Sequence, residues 1–77
     1  MEERIRNIIV ELFELKEGEV SEDLKATDVP LWDSLNHLTL VTNLEDTFGI
    51  KLTMKEIQSM DSYSKIIETV KRHFKNK

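Results

Sequence analysis

The sequence predicts an all-α fold, a four-helix bundle with a short third helix and a long loop between helices 1 and 2. Three observations carry that expectation. Apolar residues recur at spacings of three and four in separate segments, the pattern of helices with one buried face. No stretch alternates apolar and polar residues as a half-buried strand requires. The chain has 77 residues, 39% of them hydrophobic, enough for one small core and not for two. Residues 1–77 are therefore read as a single domain.

The first helix is expected over residues 2–16, where Ile5, Ile8, Ile9, Leu12 and Leu15 repeat at helical spacing and Val10 and Phe13 widen the apolar stripe. Gly18 is the expected left-handed stop. Residues 17–33 form the long loop, with a single helical turn over Ser21-Glu22-Asp23-Leu24, capped by Ser21. Pro30 excludes helical geometry at Val29, so the chain should enter the second helix extended. That helix runs from about 35 to 48 and closes at Gly49. Thr53-Met54-Lys55-Glu56 is a capping-box pattern and starts a third helix near 54–59. Ser62 caps a last helix over about 63–74, with Ile66, Ile67, Val70 and Phe74 inward. Met54, Met60 and Tyr63 are expected within the bundle.

Composition narrows the function. With no cysteine there is neither a disulfide framework nor a thiolate metal site. The acids between Asp23 and Asp33 lack the spacing and glycine of a calcium loop, so no metal site is expected. Apolar runs are too short to span a membrane, and the N-terminal residues do not resemble a signal peptide. A cytoplasmic monomer is the expectation. Residues 1–50 hold 12 acids and 4 bases (−8), and residues 51–77 hold 3 acids and 7 bases (+4), matching the net −4. An acidic front half repels nucleic acid and speeds encounter with basic partners. The basic tail from Lys71 to Lys77 is expected to complement the helix dipole and then fray, which leaves His73 without a role.

One motif points to chemistry. Trp32-Asp33-Ser34-Leu35 opens the second helix, which ends in Phe48-Gly49-Ile50. A hydroxyl at a helix start lies beside unpaired amides and the positive end of the dipole, where a phosphodiester finds an anion site. An Asp-Ser pair there also serves as an ordinary cap, and the two roles are compatible. His37, three residues on, does not make Ser34 a hydrolytic nucleophile, because no third group or oxyanion donor is evident.

These residues, with the helices around them, resemble the acyl carrier proteins of the phosphopantetheine-binding family over nearly the whole chain. The resemblance implies a 4′-phosphopantetheine arm, drawn from coenzyme A, on Ser34. It implies a protein that carries acyl thioesters and is not itself an enzyme. Its partners would be a phosphopantetheinyl transferase and the enzymes that load, modify and transfer the acyl group. Asp33 matches the acid before the serine that takes part in transferase recognition, and Leu35 the exposed leucine that partners grip. Thr39, Thr42, Glu45 and Asp46 complete the expected docking face.

On the helical wheel Leu40, Val41, Leu44 and Phe48 face inward. With Ile66, Ile67 and Val70 they are the expected lining of an acyl pocket, and His37 is placed at its mouth or as a half-buried ring on the bundle edge. Asn36 and Thr39 stand where fatty-acid carriers commonly have acids, so the chain looks more like the discrete carriers of specialised bacterial pathways. An aminoacyl carrier resembling D-alanyl carriers remains an alternative, as does an unmodified protein-interaction module. A peptidyl carrier fits less well, since those commonly have His before the serine.

Overall fold

The computed structural model describes residues 1–75; Asn76 and Lys77 of the basic tail lie outside the described residues. Among these, four α-helices follow one another: α1 (Glu2–Phe13), α2 (Ser34–Phe48), α3 (Met54–Ser59) and α4 (Tyr63–Lys75). Two 3₁₀ turns, Glu17–Glu19 and Ala26–Asp28, lie in the α1–α2 loop. The protein is an all-helical small bundle, and among the described residues no helix is long and apolar enough to cross a membrane.

The helices form where the apolar periodicity places them. Ile5, Ile9 and Phe13 from α1 meet Leu40, Val41 and Leu44 from α2 and Ile66 and Val70 from α4 in one core. The α3 boundaries match the expectation, because the capping box closes in both directions. Thr53 Oγ accepts from Glu56 N–H at 3.1 Å and Glu56 Oε1 accepts from Thr53 N–H at 2.9 Å. Gly49 ends α2 with φ 64°, and Ser62 Oγ accepts from Lys65 N–H at the start of α4.

The end of α1 differs. The helix stops three residues early, at Phe13, and the left-handed residue is Glu14 at φ 53°, not Gly18. Leu15 N–H donates to Val10 O at 3.0 Å, which closes the helix before Gly18 is reached. Leu15 still packs against the core after the helix has ended, so periodicity continued past the true stop. Residues 21–24 form a hydrogen-bonded turn, Leu24 N–H to Ser21 O, and no helix. Met54 is 69% exposed and does not belong to the bundle interior, unlike Met60 and Tyr63.

The long loop is stitched to the front of α4. Ala26 N–H donates to Asp61 O, Tyr63 N–H to Leu24 O, and Ser64 Oγ–H to Glu22 O. Val20, Val29 and Trp32 are buried along it. Trp32 stacks on Phe13 with centroids 4.8 Å apart, fixing the loop end against α1 just before Ser34.

Candidate functional site

The approach to Ser34 is set by backbone constraints. Val29 is extended (φ −115°, ψ 108°), as the following proline demands. The chain turns through Pro30 and Leu31, with Trp32 N–H donating to Val29 O. Asp33 is extended and caps α2: Oδ1 accepts from Asn36 N–H at 2.8 Å. Ser34 is then the first helical residue. It is exposed, and no hydrogen bond to its hydroxyl is found among the described residues. Asn36 also has a task, because its amide Nδ2–H donates to Leu31 O at 2.7 Å. An aspartate there has no proton to give.

Beside Ser34 an open groove of about 600 Å³ runs between the start of α2, α3 and the loop. Trp32, Leu38, Ile57, Met60 and Ala26 give it apolar walls. Asp33, Ser34, Gln58 and Asp61 supply its polar groups, and among the described residues no Lys or Arg lines it.

His37 lines this groove. Its Nδ1 accepts from Trp32 Nε1–H at 2.9 Å, and its Nε2 lies 2.7 Å from Ile57 O. An indole N–H only donates and a carbonyl only accepts, so both partners select the neutral ring with the proton on Nε2. The two rings are near parallel, with centroids 6.2 Å apart and 23° between planes. The half-buried histidine at the bundle edge is thus a tie between α2, α3 and the loop before Ser34.

The other expected pocket residues lie elsewhere. Leu40, Leu44, Ile66 and Val70 have no exposed surface and Val41 is buried. Phe48 and Ile67 are half-buried, Phe48 meeting Phe74 edge-on at 6.0 Å. None of these seven lines the groove; His37 is the one expected pocket residue that does. Trp32, Ile57 and Gln58 were not singled out as groove residues by the sequence. The signal available was α3 itself, since a six-residue helix must leave one face on a neighbour.

On the outer face of α2, Leu35 is 73% and Leu38 56% exposed. Thr39 and Thr42 are exposed, but each donates its hydroxyl back to a helix carbonyl, of Leu35 and Leu38 respectively. Asp46 is exposed. Glu45 is turned to the loop, where Oε2 accepts from Leu52 N–H at 2.9 Å. Of the expected docking residues, Asp33, Leu35, Thr39, Thr42 and Asp46 are exposed and Glu45 is half-buried, and Leu38 adds a second exposed leucine beside them.

His73 lies within α4, not in a frayed end, and is half-buried. Its Nε2 lies 3.0 and 3.1 Å from the two Glu56 carboxylate oxygens, joining α4 to α3. Burial acts to raise the Glu56 pKa. The hydrogen bond from Thr53 N–H and the hydrogen bond and charge of His73 outweigh it and hold this carboxyl below its ordinary value. Among the described residues no group of three or more His, Asp or Glu is placed to hold a metal ion. No protein-family model matches the chain.

Proposed function

We propose that this chain is a discrete carrier protein of the acyl-carrier type, with 4′-phosphopantetheine attached to Ser34. One observation carries the reading: the Ser34 hydroxyl is exposed and without a hydrogen bond among the described residues, on a capped helix start, beside a groove with apolar walls. The residues fit the group. The first-turn amides and the dipole of the 15-residue α2 favour a phosphodiester at its N-terminus. Asp33 binds the amide of Asn36, which keeps the helix start ordered while Ser34 faces outward. Trp32, Leu38 and Ile57 offer apolar surface along which an arm can lie.

Attached there, phosphopantetheine supplies a thiol that holds acyl groups as thioesters. The chain itself is no catalyst; it presents the cargo at high effective concentration to successive enzymes. Leu35 and Leu38 are the apolar contacts for those partners, beginning with the phosphopantetheinyl transferase. The protein works as a cytoplasmic monomer in a specialised pathway. The test is intact mass after incubation with coenzyme A and a broad-specificity transferase. The mass rises by one phosphopantetheine in the wild type and stays unchanged in Ser34→Ala. An unmodified wild type with several competent transferases refutes the reading.

A further inference from the structure

Any cargo tethered at Ser34 has two places to go: the open groove, or the core behind it. His37 stands between them. It takes a hydrogen bond from Trp32 and gives one to Ile57 O at 2.7 Å, so one ring joins the loop, α2 and α3. Trp32 is held in turn against Phe13 of α1. Behind this tie, Leu40, Leu44, Met60 and Ile66 are without exposed surface. From the groove, an alkyl chain reaches these residues by parting α3 from α2. That movement breaks the bond to Ile57 O and strips a half-buried carbonyl of its partner.

We propose that His37 sets the class of cargo: it bolts α3 to α2, keeps the core shut, and restricts the carrier to acyl groups short enough to be held in the groove. This rests on the carrier reading above. The groove suits such cargo by its size and its open side: its walls are mostly apolar, with Asp61 and Gln58 at their polar margin, and they run only along the start of α2 and the short α3. A medium alkyl chain left in the same groove keeps much of its length in water, since the groove is open to solvent. His37 is a positioning residue here and does not react with the thioester.

The experiment uses holo, glycyl and octanoyl forms of the full chain, made by transferase loading of the matching coenzyme A derivatives and checked first by intact mass. Each is prepared for the wild type, His37→Ala and His37→Gln, the last retaining an amide that can bond Ile57 O. Melting temperature and the Trp32 indole N–H resonance are followed. In the wild type the octanoyl form melts no higher than the glycyl form, and the indole signal stays in place. In His37→Ala the octanoyl form melts above its own holo form, and Leu40 and Ile66 methyl signals shift. His37→Gln lies between the two.

An octanoyl chain that raises wild-type melting and moves the Leu40 and Ile66 signals overturns the proposal. So does a His37→Ala protein that gains nothing from octanoyl. If no form gains mass, the carrier reading fails and the cargo inference falls with it. The bolt is then judged separately in unmodified protein. Exchange of the Trp32 indole proton should be about tenfold faster in His37→Ala than in the wild type, the effect of losing one net hydrogen bond. Equal exchange shows that the bolt does not hold.

Discussion

Asp33 is where structure and proposed function meet in one side chain, and two substitutions separate them. Its carboxylate caps α2 through a 2.8 Å bond from Asn36 N–H. Loss of a helix cap costs about 1 kcal/mol, within a range of roughly 0.5–2. The loss should register in global stability, because α2 supplies Leu40, Val41 and Leu44 to the core. At about 2.1 cal/mol/K per residue, unfolding 77 residues gains about 160 cal/mol/K, so 1 kcal/mol lowers Tm by about 6 °C. Asp33→Ala should show that drop by circular dichroism. Asp33→Asn keeps an acceptor oxygen for Asn36 N–H and loses only the interaction of charge with dipole, about 0.3–1 kcal/mol at most. Its Tm should fall by less than that of Asp33→Ala. The rate of phosphopantetheine transfer, followed by intact mass, should behave differently. It should drop in both variants to a similar degree, because both lack the charge that meets a basic transferase. If Asp33→Asn is as unstable as Asp33→Ala, the cap contributes little. If Asp33→Asn is modified at the wild-type rate, Asp33 serves only the helix.

Three further outcomes follow from the backbone and from Glu56. Glu14→Gly should stabilise the protein by about 0.5–1 kcal/mol in urea unfolding, since a non-glycine residue at φ 53° carries left-handed strain. Gly49→Ala should destabilise by about 1 kcal/mol although a Cβ there meets no atom, because φ is 64°. Glu56 has a lowered pKa in the folded state, so its stabilising contribution is fully present above the ordinary carboxylate range and is lost as pH falls through the folded value. Acid unfolding of Glu56→Gln, which keeps an acceptor for Thr53 N–H, should therefore depend less on pH below about 4.5 than that of the wild type. Identical acid profiles would mean that the His73–Glu56 contact adds nothing.

The order and kind of the helices were legible in the sequence because they rest on local rules. Period 3.6 marks an apolar face, a threonine three residues before a glutamate starts α3, and a glycine ends α2. The same rules placed Ser34 at a helix start, with Asp33 before it in extended backbone. They misjudged the end of α1, because Leu15 continues the apolar period after the hydrogen-bonding has already turned at Glu14. What surrounds Ser34 depended on the tertiary structure, since it is built from residues far apart in the chain. The tie from His37 to Ile57 joins positions 20 apart, and that from His73 to Glu56 positions 17 apart. A helical wheel shows which residues of α2 and α4 turn inward, but not whether they enclose a space or fill it. In this protein they fill it, because Leu40, Leu44, Ile66 and Val70 interdigitate with α1 until no surface remains. The groove lies instead where the six-residue α3 crosses the start of α2, too short a helix to cover its neighbour fully.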